Sequence, residues 1–210
     1  MHHFDKMLRA HVAPALRSAG YTGRGRTFRL IAESGDQAIV RLHRSGGQGD
    51  QVEFSVDLGV VTVPYWDWLG EVFPRAPDRA PSDTDGLWRG RLHAPAGMRA
   101  DARPWTRNLW LLDGPDAVDT CGQKLAELLL SEAVPLLATL LDRAAFLALS
   151  RDPAGPLGSD VGPATLMLLV DAGRSPALEA EISRYEALDR AAYPYARRLA
   201  AWARNRLSTA

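Results

Sequence analysis

The chain changes from a helical to a strand-like hydrophobic period within its first sixty residues. Apolar side chains recur at spacings of three and four from Phe4 to Ala19, which predicts an amphipathic helix ended by Gly20 in a left-handed conformation. Beyond residue 25 the period falls to two, and three such runs follow one another up to Leu58. Because parallel strands would need long crossover connections, these closely spaced runs predict an antiparallel meander.

Two later segments add to the predicted sheet. Alternation returns at residues 87–92 and again at residues 105–112, which brings the sheet to about five strands. The intervening residues 64–82 are rich in proline and aromatic side chains. This composition predicts an irregular loop with one short helical turn around residues 66–72.

The second half of the chain keeps a helical period. It runs from Asp116 to the end, with a Pro- and Gly-rich linker at residues 152–162. We therefore predict an α+β fold, in which an N-terminal helix packs on an antiparallel meander sheet and a helical C-terminal half follows. The expected domains are an α+β domain over residues 1–115 and a helical region over residues 116–210, packed on the sheet domain.

Composition excludes several classes of function. The 25 basic and 25 acidic side chains cancel, which argues against a general polyanion binder. Cys121 is the only cysteine, so an intramolecular disulfide is impossible, and its place on an apolar helical stripe predicts a buried structural thiol. The five histidines lack metal-ligand spacing. We accordingly expect no catalytic residue, no metal and no cofactor.

The apolar stretches also bear on location. None approaches the roughly 18–20 residues that span a bilayer, and the first residues lack the apolar core of a signal peptide. We expect a cytoplasmic protein without a membrane partner.

The polar face of the predicted sheet holds most of the candidate binding residues. One interpretation is a solvated face with cross-strand ion pairs, each contributing about 0.2–1 kcal/mol. The other is a groove for a partner or an anionic ligand, since guanidinium groups bind carboxylate and phosphate well. The candidates on this face are Arg41, His43, Glu53, Asp57, Arg89 and Arg91.

Two further features offer surfaces for binding. Trp66 and Trp68 lie in the proline-rich segment, where they form either a binding surface or a cap over one end of the core. The last helix carries five arginines and no acidic residue after Asp189. Basic residues also suit a helix C-terminus, and no nucleic-acid motif accompanies them, so nucleic-acid binding is not expected.

Three groups of residues together resemble a known bacterial family. They are the helix end Gly20-Tyr21 with the strand at residues 26–28, the run Val-Asp-Leu-Gly-Val at residues 56–60, and Trp-Arg-Gly-Arg-Leu at residues 88–92. Over roughly residues 4–112 the chain resembles the family called domain of unknown function 4304. That family has Phe where this chain has Tyr21. The resemblance implies a fold but no reaction, and residues 150–210 lie outside it.

The sequence favours a non-enzymatic binding protein over an enzyme. Its protein partner would dock on the polar sheet face or on the tryptophan-rich segment, and toxin-immunity proteins are one type that fits. The alternative is a small-molecule-binding protein or an enzyme with its site between sheet and helices. That alternative requires His43, Asp57 and Arg89 to converge in a pocket.

Overall fold

The computed structural model describes residues 2–73, 76, 78–100, 108–152, 155, 157, 163–188 and 194–209. By their internal contacts these residues form two compact units. The sheet unit holds the chain up to Val61 together with Ser82–Leu141, and the helical unit holds Thr62–Pro81 and the chain from Asp142 onward. The expected division into domains after residue 115 stays a prediction.

The N-terminal segment forms one continuous helix in three parts. Helices α1 (His2–Met7) and α2 (Ala13–Ser18) are joined by a π-helical turn, Leu8–Val12. Gly20 follows with a φ of 86°, and the next backbone N–H, from Tyr21, reaches back to the last turn of α2. This closure confirms the predicted helix end, because glycine adopts a left-handed φ at little cost.

The described residues of the sheet unit form a six-stranded antiparallel sheet. Strands β1 to β4 are a meander, and β5 and β6 share the other side of β4, where β5 pairs with residues 57–60 and β6 with residues 51–54. The α+β prediction is confirmed, and one short strand, β1, precedes the strands that the alternation predicts. The strands are β1 (Thr22–Arg24), β2 (Thr27–Ile31), β3 (Gln37–Gly46), β4 (Gln51–Val61), β5 (Trp88–Arg91) and β6 (Trp110–Asp113).

One face of the sheet forms the core of the sheet unit. Phe54 on β4 lies 5.0 Å from the Phe4 ring of α1 and 6.0 Å from the Trp110 ring of β6, measured between centroids. These contacts confirm that the N-terminal helix packs on the sheet. Alternating apolar side chains of this face are buried, among them Phe28, Val40, Leu42, Phe54, Val56 and Leu58.

A second helix with a π turn packs against the first. It consists of α4 (Val118–Leu128), a π turn (Leu129–Ala133) and α5 (Val134–Leu141). The contact with the first helix is close at Gly122, where a Cβ atom would collide with the His11 ring.

Each π turn ends two residues before a proline, Pro14 in the first helix and Pro135 in the second. A proline inside a regular α-helix lacks an N–H donor, and its ring collides with the carbonyl four residues earlier. The wider turn moves that carbonyl away, so each helix continues through its proline. In each helix the residue before the proline donates its N–H five residues back, Ala13 to Leu8 and Val134 to Leu129.

The helical unit contains the segment that the sequence assigned to a loop. The short helical turn predicted around residues 66–72 is part of a longer regular helix, α3 (Val63–Val72), where the rest of the segment from residue 64 was predicted to be irregular. Pro64 lies in its first turn, where a missing N–H costs nothing, and Trp68 on its inner side is buried. The other helices of this unit are α6 (Arg143–Ser150), α7 (Ala164–Ala172), α8 (Pro176–Ala187) and α9 (Ala196–Thr209).

Two predicted segments lie partly outside the described residues. This holds for most of the linker at residues 152–162 and for the start of the last predicted strand, residues 105–107. In the described part of the chain no single helix is long and apolar enough to cross a membrane. One bent pair of consecutive helices reaches that length and apolar composition when the two helices are taken together.

A buried hydroxyl in the core gives a first prediction. The Tyr21 side chain is fully buried, and its hydroxyl has no hydrogen-bond partner among the described residues. Burial also raises the pKa of this hydroxyl, so it stays neutral and desolvated. We expect Tyr21→Phe to raise the free energy of unfolding by about 1 kcal/mol, because it removes an unpaired polar group.

Urea denaturation followed by circular dichroism measures this gain. The matched control is Tyr195→Phe, since Tyr195 is exposed. The control should leave stability unchanged. A loss of stability in Tyr21→Phe would show that the hydroxyl has a partner in solution.

Candidate functional site

Asp57 lies at the centre of the polar sheet face. Its neighbours across the strands are Arg41 on β3 and Arg91 on β5. The Arg91 Nε and Nη2 atoms both lie 2.8 Å from Asp57 Oδ1, and the Ser55 hydroxyl donates to Oδ2 over 2.6 Å. Both carboxylate oxygens of Asp57 are therefore already engaged within the sheet unit.

Arg41 is held by an acidic residue from outside the sheet. Its Nη1 donates to Asp83 Oδ1 over 3.2 Å, and Asp83 is buried in a short 3-10 turn, Asp83–Asp85. Ser82 caps this turn, since its backbone N–H and its hydroxyl both donate to the Asp85 carboxylate. The charges of Arg91, Asp57, Arg41 and Asp83 thus alternate in sign along one row.

Gly59 explains how the turn reaches the sheet. A Cβ atom on Gly59 would lie 2.9 Å from both Cα and the carbonyl oxygen of Asp83, closer than real Cβ contacts come. Gly90 has a similar role, because the Trp88 ring lies over it where a Cβ would stand. Both glycines belong to the motifs on which the family resemblance rests, so these motifs are explained by close packing.

The other three candidates on the sheet face stand apart from this row. His43 and Arg89 are exposed, opposite Ser55 and Gly59, and Glu53 is half-buried beside Gly46. Within the described residues none of the three makes an ion pair, and no group of three His, Cys, Asp or Glu side chains could hold a metal ion. Of His43, Asp57 and Arg89, which a convergent site would bring together, only Asp57 belongs to the row of charges.

The thiol of Cys121 lies in the interior of the sheet unit and is a poor candidate for a nucleophile. Cys121 is buried on α4, and this burial raises the pKa of its thiol to about 12. A protonated thiol is a poor nucleophile at neutral pH.

The two candidate tryptophans belong to the helical unit. Trp66 is half-buried, with the Arg79 guanidinium 5.7 Å from its ring centroid. Trp68 is 5% exposed, and its ring stacks on Tyr65 with centroids 5.6 Å apart. Trp68 is therefore a core residue that also lines a cleft.

This cleft lies between α3 and α9, and we call it the α3–α9 cleft. Phe73 at the end of α3 meets Tyr195 just before α9, with ring centroids 5.0 Å apart, so the end of one helix lies beside the start of the other. The cleft volume is about 430 Å³. It is lined by Trp68, Glu71, Val72, Arg198, Ala201, Trp202, Asn205 and Arg206.

The arginines of α9 differ in how they are used. Arg204 forms ion pairs with Glu186 over 2.8 Å and with Glu179 over 3.3 Å. Its hydrogen bond to Glu186 lowers the pKa of the Glu186 carboxyl. Arg206 stacks over Trp202 at 5.5 Å. Arg198 is exposed and makes no ion pair or hydrogen bond with another described residue. Of the α9 arginines, Arg204 therefore forms ion pairs within the helical unit, whereas Arg198 and Arg206 line the cleft.

The sequence prediction missed this combination of helices. From the sequence, the arginines of the last helix are explained by the preference of a helix C-terminus for basic residues. The available signal was their spacing, since Arg198, Trp202 and Arg206 follow one another at intervals of four residues on one side of α9. That α3 supplies the opposite wall is visible only in the folded chain.

A family model described as domain of unknown function (DUF4304) matches residues 12–139. The match extends the resemblance from residue 112 through α4 and α5, and it ends close to Leu141, where the sheet unit ends. No curated protein and no solved structure matches the chain. The match covers more than half of the chain and includes Gly59 and Gly90, whose packing is described above. The protein therefore belongs to the DUF4304 family.

Proposed function

We propose that this protein is a non-enzymatic binding protein, that its partner is another protein, and that the partner docks in the α3–α9 cleft. One observation carries the proposal: Trp68 and Trp202 line the cleft together with Arg198 and Arg206. Tryptophan and arginine are the residues that most often dominate the binding energy of protein interfaces.

The sheet face supports binding less well. Each charge in the row from Arg91 to Asp83 has an opposite charge beside it. A partner docking there would have to break these pairs or bury them, and burying paired charges returns little energy. Arg198 in the cleft carries no such cost, because it has no ion pair with a described residue.

Capture from a native lysate of the parent cells tests the proposal. We expect the full-length protein to retain one protein in stoichiometric amount, and Arg198→Glu to retain at least about tenfold less of it. The matched control is Arg197→Glu, which makes the same charge change at the neighbouring exposed position of α9 outside the cleft lining. This control should retain as much as the unmodified protein.

Two results would contradict the proposal. One is a lysate from which no protein is retained. The other is equal retention by Arg198→Glu, which would place the partner elsewhere on the surface.

A further inference from the structure

We infer that Asp113 is a site of spontaneous covalent modification, at which the backbone rearranges from aspartate to isoaspartate. The chain contains two Asp-Gly pairs, Asp85-Gly86 and Asp113-Gly114. A glycine after aspartate favours this reaction, because it has no side chain to hinder the backbone nitrogen and it adopts many conformations. The fold holds the two pairs in different ways, and these differences make Asp113 the reactive one.

The reaction at an Asp-Gly pair passes through a cyclic imide. The Gly114 backbone nitrogen attacks Cγ of Asp113, and one carboxyl oxygen leaves as water with the amide proton and a proton from solvent. Water then adds to one of the two imide carbonyl carbons, and the C–N bond at that carbon breaks. Breakage at Cγ restores aspartate, whereas breakage at the backbone carbonyl carbon leaves the chain running through Cγ, which is isoaspartate. The reaction therefore requires a carboxyl group and a following N–H that are free to approach each other.

Asp85-Gly86 does not meet this requirement, because both reacting groups are engaged in hydrogen bonds. The Asp85 carboxylate accepts from the Ser82 backbone N–H over 2.9 Å and from the Ser82 hydroxyl over 2.7 Å. The Gly86 N–H donates to the Asp83 carbonyl oxygen over 3.2 Å. The surroundings are also crowded, since a Cβ atom on Gly86 would collide with the Trp88 carbonyl oxygen. We expect this pair to be inert while the protein is folded.

Asp113-Gly114 meets the requirement. Asp113 is exposed, and among the described residues its carboxylate is held by Gln51 alone, whose Nε2 donates to Oδ1 over 2.9 Å. The Gly114 N–H has no acceptor among the described residues. Gly114 itself is buried, but a Cβ atom on it would meet no atom within 4 Å, so the space beside its Cα is open. A covered N–H without an acceptor has no hydrogen bond to lose when it attacks the carboxyl group.

Isoaspartate at this position changes the end of β6. The backbone gains one CH₂ group, and the free carboxylate moves from the side chain onto Cα. Asp113 is the partner of Gln51 in the β4–β6 register, so the modification removes this last pair and its side-chain hydrogen bond. It also lengthens the connection between β6 and α4, which begins at Val118.

Incubation in water enriched in heavy oxygen tests the inference, because each passage through the imide incorporates one oxygen atom from water. The folded full-length protein is kept at neutral pH, digested with trypsin in ordinary water and analysed by mass spectrometry. The two pairs fall in separate tryptic peptides, residues 80–89 and 108–124, and fragmentation assigns the label to a residue. We expect Asp113 to incorporate label at least about tenfold faster than Asp85, whose hydrogen bonds must first break. Isoaspartate should accumulate at Asp113 with the label.

Two comparisons separate the effect of the fold from that of the sequence. In urea, which removes the hydrogen bonds around both pairs, the two sites should incorporate label at rates within about threefold of each other. Asp113→Glu should abolish labelling at that position, because the longer side chain must close a larger ring. The matched control is Asp116→Glu, which makes the same change at another exposed position of the same peptide and should leave the labelling of Asp113 unchanged.

Three results would overturn the inference. The first is equal labelling of Asp113 and Asp85 in the folded protein, and the second is faster labelling of Asp85. The third is the absence of label at Asp113 in the folded protein, whether or not the unfolded chain incorporates it. Labelling at position 113 that persists in Asp113→Glu would equally contradict the imide as its source.

Discussion

Replacing Trp110 with alanine is expected to lower the free energy of unfolding by about 3–5 kcal/mol. Trp110 is completely buried and packs on Phe54 across the β4–β6 pair. Its indole N–H donates to the Leu92 carbonyl oxygen over 3.0 Å. The truncation therefore leaves both a cavity and an unpaired buried carbonyl. Urea denaturation followed by far-ultraviolet circular dichroism measures the loss without relying on tryptophan fluorescence.

Trp110→Phe separates the two contributions. Phenylalanine keeps most of the apolar contact with Phe54 and removes the hydrogen bond to Leu92, so we expect a loss of about 1–3 kcal/mol. If alanine at this position cost less than about 1 kcal/mol, the placement of β6 against β4 would be wrong.

Gly59→Ala is expected to destabilise the protein by about 1–3 kcal/mol although it adds a single methyl group. The added Cβ would meet backbone atoms of Asp83 at 2.9 Å, and backbone cannot rotate away as a flexible side chain can. The Asp83–Asp85 turn must therefore lift from β4, which also separates Asp83 from Arg41. Chemical denaturation measures the loss.

Gly46→Ala on β3 is the matched control for this substitution. Its added Cβ would meet only the Glu53 carboxylate, at 3.2 Å, and that side chain can move. We expect its stability to change by less than about 0.5 kcal/mol. Equal losses in the two variants would contradict the contact with Asp83 as the cause of the effect at Gly59.

The elements with strong local signals were predictable from the sequence. The helix end at Gly20 requires only a glycine after an amphipathic stretch, and the strands up to Leu58 require only alternation. The family resemblance also had a local basis, because Gly59 and Gly90 lie in short runs of the chain. The reason for these glycines, contact with Asp83 and Trp88, could be found only from the folded sheet.

The elements decided by tertiary contacts were not predictable. Pro14 and Pro135 are expected to bend or end a helix, and the π turns that accommodate them have no sequence signature of their own. Only a short turn of helix α3 was predicted, because its proline and aromatic composition indicates a loop, and burial of Trp68 outweighs that local tendency.

The candidate sites also divide into features that local sequence predicts and features that depend on tertiary contacts. Cross-strand pairing of Asp57 with Arg91 follows from the alternation of polar residues on antiparallel strands. The α3–α9 cleft joins residues more than a hundred positions apart, and no spacing rule connects Trp68 with Trp202.

The sharing of one side of β4 by two strands also affects the order of folding. β3 joins β4 through the short turn at residues 47–50, whereas Phe54 on β4 pairs with Trp110 on β6 only after a much longer loop has closed. Closing a longer loop costs more entropy, so we expect the β3–β4 hairpin to form first and the β6 pairing to complete the sheet late. During synthesis the first half of β4 has an open edge until the ribosome has passed residue 113. An open edge can pair with another chain, so this interval is when the nascent protein is most exposed to aggregation.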